Sequence, residues 1–157
     1  LKVLAVAKKY VDEGYKEGEN NDTVFGKWFG LNHQPWCAMF VSKVFNEAGL
    51  SKLVAATTEK GFSACEAGLH WFAKKKQLVA VGQAQPGDIV FYNFDNNPDA
   101  DHVGIVVQNN VRMKTLVTYE GNTSSGKSGS QTNGDGVYQR KRSYATVKAV
   151  ARPNYHA

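Results

Sequence analysis

Gln85-Pro86-Gly87-Asp88-Ile89-Val90-Phe91-Tyr92-Asn93 is where the chain changes texture. A Pro-Gly turn leads into four β-branched and aromatic residues and then a polar stop, which is the signature of a buried strand. Similar runs follow, and the predicted strands are residues 88–93, 102–108, 114–120, 136–142 and 147–152, with Asn109-Asn110 as a tight hairpin turn. Residues 122–136 are mostly Gly, Ser, Thr and Asn, and they read as a loop between strands because strand-like runs resume beyond them. Upstream of the quoted stretch the period is helical. Leu4, Ala7 and Val11 mark a helix over residues 1–13 that stops at Gly14, and residues 24–29 suit a short helical turn. A second helix opens at Gln34-Pro35-Trp36-Cys37, with Pro35 in the first helical position, Val41, Val44, Phe45 and Ala48 as its buried stripe, and Gly49 as its end. A third starts at Ser63, which has capping-box spacing to Glu66, and runs to Lys74–Lys76. Helices followed by strands predict an α+β fold, N-terminal helices packed on a C-terminal antiparallel sheet.

The chain has 157 residues, 42% of them apolar, which suffices for one core without staples, so one domain over residues 1–157 is expected. Nineteen lysines and arginines against fourteen acids leave a net charge of +5. Spread along the chain, this leans toward an anionic partner without naming one. No apolar run approaches the roughly 18 residues of a membrane span, and residues 1–10 carry lysines where a signal peptide has its apolar centre, so no membrane insertion is expected. The start at Leu1 fits a processed product or a domain cut from a longer protein. Two cysteines are no disulfide framework at this size. Cys37 and Cys65 form one bridge or none, which leaves the redox compartment open.

Nucleophilic chemistry at a thiol needs a lowered pKa, a base within reach and a group that orients the base. Cys37 has the first if it lies in the opening turn of its helix, where unpaired N–H groups favour a negative sulfur. Cys65 also falls in a first turn, but a Ser63–Glu66 capping pair would occupy the donors and the Glu66 carboxylate disfavours a thiolate, so Cys65 reads as structural. His102 opens a strand at a sheet edge just after an acidic loop. Glu120 and Asn122 end the next strand, and an antiparallel hairpin brings those ends together, placing a carboxylate or an amide beside the imidazole. On a regular strand Glu120 and Asn122 share a face, and spacing does not choose between them.

These residues resemble the CHAP domains, the cysteine- and histidine-dependent amidohydrolases/peptidases of bacteriophage endolysins and bacterial wall hydrolases. The resembling segments are Glu19-Asn20-Asn21-Asp22-Thr23, Phe25-Gly26-Lys27-Trp28-Phe29-Gly30, Pro35-Trp36-Cys37-Ala38-Met39-Phe40-Val41, Gln85-Pro86-Gly87-Asp88-Ile89-Val90-Phe91, Asp101-His102-Val103-Gly104-Ile105-Val106 and Glu120-Gly121-Asn122, in the family's order. The resemblance implies a papain-like α+β fold with Cys37 as nucleophile, His102 as base and Glu120, with Asn122, as orienting group. It implies cleavage of an amide bond in bacterial peptidoglycan, by an enzyme that acts at the cell wall and is released through a holin or secreted. The Trp36-Cys37 pair and the loop after Asn122 look most like endolysins of phages infecting actinobacteria. A monomer without cofactor is expected.

Other clusters carry weaker signals. Asp95, Asn96, Asn97, Asp99 and Asp101 are hard oxygen ligands in one loop, and some members of the family bind calcium, but the spacing is not that of an EF-hand and polar turns look the same. His33, Cys37, Cys65 and His70 are a poorly spaced zinc set, so no metal is expected there. Trp28 and Trp36 flank the nucleophile and are candidates to line a groove for sugar or peptide. Lys74–Lys76 and Arg140–Arg142 suit a solvated face, and no nucleic-acid partner is expected without interleaved aromatics. Two other functions compete: a non-catalytic wall-binding module, which has no need of Cys37 and His102, and a papain-like cysteine protease acting on proteins.

Overall fold

The computed structural model describes residues 1–95, 97–126 and 133–156. Four α-helices come first: α1 (Lys2–Asp12), α2 (Val24–Phe29), α3 (Cys37–Glu47) and α4 (Cys65–Lys74). Six strands follow: β1 (Leu78–Val79), β2 (Ile89–Tyr92), β3 (His102–Asn110), β4 (Thr115–Thr123), β5 (Gly136–Ser143) and β6 (Val147–Ala151). They form one antiparallel sheet in the order β1-β6-β2-β3-β4-β5. The fold is the expected α+β arrangement. The two-residue β1, paired with β6, is too short to leave a periodic signal.

Helix α3 is the hub. Of its eleven residues, Cys37 to Ser42, Val44 and Phe45 are buried, so it is an interior helix rather than one with a single wet face. It packs on β3 and β4, with α1 and α2 against its other sides. Its end follows the sequence: Gly49 takes φ +76 and the Leu50 N–H bonds the Phe45 carbonyl, a left-handed cap. Its start does not. Pro35 lies outside the helix and Trp36 is the N-cap, because the Trp36 ring is anchored elsewhere. The indole stacks on Phe25 at 5.3 Å and donates its N–H to Glu17 at 3.0 Å, so tertiary contacts override proline's preference for the first turn.

The expected capping box of α4 also fails to form. The helix begins at Cys65 with Ala64 as an N-cap lacking a side-chain bond, and the Glu66 carboxylate instead accepts the Ala100 N–H at 2.6 Å and meets Lys148 at 3.2 Å. Strand β3 continues through Asn110, so the hairpin turn falls on the next residues, where Lys114 takes φ 54, and not on Asn109-Asn110. Strand β4 runs three residues further than expected, past a register shift between Glu120 and Thr123 at which Asn122 takes φ 54. Part of the expected loop of residues 122–136 lies outside the described residues. No helix among them is long and apolar enough to cross a membrane.

Candidate functional site

Cys37 is the first residue of α3, nearer the helix terminus than the proline reading placed it. The first α-helical hydrogen bond runs from the Phe40 N–H to the Trp36 carbonyl, so the N–H groups of Cys37, Ala38 and Met39 precede the helical ladder. The thiol sits where these donors and the helix dipole favour negative charge. It is only 6% exposed.

His102 opens β3, but not at an edge. Strand β3 lies between β2 and β4, and the imidazole is fully buried, stacked against Tyr92 at 5.9 Å and beside Phe94. Two contacts fix the turn that delivers it. The Asp101 N–H bonds the Tyr92 carbonyl, and the Asp101 carboxylate accepts the Phe94 N–H at 2.9 Å, closing the loop ahead of the strand.

Glu120 and His102 meet as the hairpin geometry predicts, His102 Nε2 lying 2.8 Å from Glu120 Oε1, both side chains fully buried. A glycine makes the room, since a Cβ on Gly104 would stand 2.6 Å from Glu120 Cγ. Gly121 plays the matching part toward the helix. A Cβ there would stand 2.7 Å from both Phe40 Cβ and Trp36 Cζ3, so only glycine lets β4 approach the start of α3 this closely.

Two partners of Glu120 escaped the sequence reading. Arg142, placed by that reading on a solvated basic face, is buried and grips the carboxylate with Nε at 3.0 Å and Nη2 at 2.5 Å, while Thr118 donates its hydroxyl at 2.6 Å. Arg140 bonds the Ser124 carbonyl at 2.7 Å. The available signal was alternation: Thr118 and Glu120 are two apart on β4, Arg140 and Arg142 two apart on β5, and Thr118 pairs with Arg140. Asn122 is also buried, two residues further along β4, and its backbone carbonyl accepts the Gly134 N–H.

Cys65 is the other surprise. Read as structural, it places its sulfur 3.6 Å from that of Cys37, the two helices α3 and α4 starting side by side.

These contacts set the charges. Cys37 is held well below its ordinary 9.0, first by the Cys65 thiol donating to its sulfur, then, against the cost of burial, by His102 and the Ala38 N–H. Cys65, as donor beside that charge, is pushed up. Burial lowers the His102 pKa, but the Glu120 carboxylate and then Cys37 outweigh it, and the group is raised from 6.5 to about 9. Burial likewise opposes ionisation of Glu120, yet His102 and Arg142 hold it far below its ordinary 4.5. These shifts favour a thiolate at Cys37 and an imidazolium at His102, whose Nδ1 bonds no other group among the described residues, with a doubly paired carboxylate on its Nε2 side.

The remaining candidates separate from this centre. Trp36 is fully buried among Phe25, Tyr15 and Glu17, so it is a core residue and not a groove wall. Trp28 is half-buried, with Lys43 and Lys60 over its ring. In the acidic loop, Asp95 and Asn97 accept backbone N–H groups of Asn97 and Asp99, as Asp101 does from Phe94, so the described oxygens hold the loop itself. Asn96 lies outside the described residues. His33 bonds the Asn20 carbonyl and His70 pairs with Glu66, which leaves neither turned toward the two cysteines as a zinc set. Among the described residues no group of three or more His, Cys, Asp and Glu is placed to hold a metal ion.

Similarity to known proteins agrees with this architecture. The chain is 30% identical over 105 residues to the probable endopeptidase p60 of Listeria grayi, an alignment covering 67% of this chain but 16% of that protein. The crystal structure of the wild-type endolysin LysIME-EF1 superposes with a TM-score of 0.61 at 16% identity, over 99% of this chain and 64% of that one. A lipoprotein-like protein of the NLP/P60 family from Staphylococcus aureus superposes with a TM-score of 0.52 at 13% identity, over 97% of this chain and 40% of that one. The chain thus spans a minor part of the curated relative it matches. Residues 29–122, which run from the end of α2 through Cys37 and His102 to Asn122, match the CHAP domain, and the chain belongs to that family.

Proposed function

We propose that this chain hydrolyses an amide bond of bacterial peptidoglycan, with Cys37 as nucleophile. The observation that carries the reading is the buried His102–Glu120 pair, joined at 2.8 Å through Nε2, together with Cys37 at the first residue of a helix, where Cys37 and His102 shift each other's pKa values in opposite directions. A non-catalytic wall-binding module has no use for this arrangement. The family membership, with relatives named an endopeptidase and an endolysin, supports the substrate class.

The reaction follows from the charges. The Cys37 thiolate attacks the scissile carbonyl carbon, and its oxygen gathers charge beside the α3 terminus, where the Cys37 N–H is the first candidate donor. The His102 imidazolium then gives its proton to the departing amine, leaving a thioester on Cys37 and a neutral ring. Neutral His102 takes a proton from water, the hydroxide adds to the thioester, and the second product leaves as a carboxylic acid. Glu120 holds the ring and stabilises its cation throughout. A cavity of about 270 Å³ lined by Leu31, Gln34, Pro35, Met39 and Ser63 borders the approach to α3 and offers room for the apolar parts of a peptide. Work at the wall after release through a holin or by secretion belongs to the same reading.

Digestion of purified walls tests it. Release of free amino groups in step with clearing, without new reducing sugar ends, is the expected result, and mass spectrometry of the fragments identifies the bond. Release of reducing ends alone, or cleavage of a panel of protein substrates with intact walls, would overturn it.

A further inference from the structure

The catalytic proposal leaves one buried nucleophile without a chemical task. Cys65 is the first residue of α4 as Cys37 is of α3, so two helix starts aim thiols at one point, 3.6 Å apart and 6% and 9% exposed. These two are the chain's entire complement of cysteine. A disulfide sulfur pair stands about 2.05 Å apart, so a contraction of about 1.5 Å joins them, within reach of small side-chain rotations and helix shifts. The surroundings favour reaction at one sulfur before the other. Both helix starts leave N–H groups ahead of the helical ladder, but only Cys37 has the His102 cation acting on it, which makes it the group that meets an electrophile first.

We propose that Cys65 is a resolving thiol: hydroperoxide oxidation of Cys37 is captured as a reversible Cys37–Cys65 disulfide that makes the site latent until a dithiol reduces it. The proposal rests on Cys37 being the nucleophile. In the first step the Cys37 thiolate attacks the terminal oxygen of hydrogen peroxide; the O–O bond breaks, sulfur is oxidised by two electrons to the sulfenic acid, and hydroxide leaves and takes up a proton. In the second step the Cys65 sulfur attacks the sulfenyl sulfur, the S–O bond breaks, and the Cys65 proton departs with the oxygen as water. The sum is two thiols and one peroxide giving one disulfide and two waters. Once Cys37 is no longer anionic, the charge that keeps the Cys65 proton in place is gone, so the second step is helped by the first. Without Cys65 the sulfenic acid stays open to further oxidation, and sulfinic acid is not recovered by thiols.

The experiment treats the reduced wild-type protein with hydrogen peroxide, blocks remaining thiols, and reads intact mass, peptide map and wall-lytic rate before and after dithiothreitol. The expected result is a loss of about 2 Da, a linked pair of peptides containing Cys37 and Cys65, a fall of at least about tenfold in rate, and return to nearly the untreated rate on reduction. The Cys65→Ser protein, compared with its own untreated rate, gains about 16 and then about 32 Da on Cys37 and recovers less than about a tenth of the lost activity. Wild-type Cys37 oxidised to sulfinic acid with no linked peptides overturns the proposal and leaves the catalytic reading intact. A linked pair with undiminished lysis refutes Cys37 as nucleophile, and the switch with it. The wild-type masses stand even if the variant folds poorly.

Discussion

Replacing Glu120 with glutamine removes one charge and keeps the shape of the side chain. Glu120 Oε1 lies 2.8 Å from His102 Nε2. With charge centres about 4 Å apart and an effective dielectric of about 20, the pair is worth about 4 kcal/mol, or about 3 pKa units. The sign follows from the mechanism: attack requires the imidazolium, so activity is lost as pH rises through the His102 pKa, and removing the carboxylate lowers that pKa. The basic limb of the pH–rate profile, set by a group raised to about 9, should therefore move down toward about pH 6, and the cation of Arg142 left behind pushes the same way. Asn122→Ala removes no charge and should move that limb by less than about half a unit. The assay is the initial rate of turbidity loss of purified walls between about pH 5 and pH 10, with circular dichroism confirming the fold at each point. Removing the partner of a buried arginine typically destabilises by about 3–5 kcal/mol, so Glu120→Gln/Arg142→Met serves as a second variant free of the stranded charge. An unmoved basic limb in both, or a larger shift in Asn122→Ala, would refute the electrostatic role given to Glu120.

Three further outcomes are expected. Iodoacetamide should modify Cys37 before Cys65 in the folded enzyme, with activity lost in step; peptide mapping that finds Cys65 modified first contradicts the charge assignment. Gly104→Ala should lower the melting temperature by an overpacking cost of about 1–3 kcal/mol and reduce the lytic rate, because the new Cβ would stand 2.6 Å from Glu120 Cγ; calorimetry and lysis rates check both. Glu120 is held below its ordinary 4.5 by the fold, so the folded chain binds a proton there less readily than the unfolded one. Its stabilisation is present above about pH 4.5 and is lost as pH falls further, so the melting temperature should drop more steeply below pH 4.5 in wild type than in Glu120→Gln.

The α+β division and the meeting of His102 with Glu120 were legible because they rest on strong periodicities and on one short antiparallel connection, from β3 to β4, whereas Cys37 was joined to them by the family resemblance. What stayed hidden depended on contacts far apart in sequence. The start of α3 is set by the Trp36 ring seated on Phe25 and Glu17, which no local propensity reports. Glu66 has capping spacing to Ser63, yet a loop 34 residues away supplies the N–H it binds. Arg142 reads as surface charge until strand register sets it opposite Leu116, on the face that carries Glu120, and its guanidinium reaches along that face to the carboxylate 22 residues back. Cys65 reads as a buried hydrophobe until two helix starts are set side by side. The bulge after Glu120 likewise turns Asn122 off the regular strand geometry on which the two candidates share a face.

The most direct test of the account is the wall-lytic rate of Cys37→Ala measured beside its sedimentation with purified walls. A catalytic thiolate predicts a loss of at least about 10³-fold in rate with the bound fraction unchanged. A Cys37→Ala protein that keeps more than about a tenth of the wild-type rate, folded and bound to the same extent, would contradict the assignment of Cys37 as nucleophile.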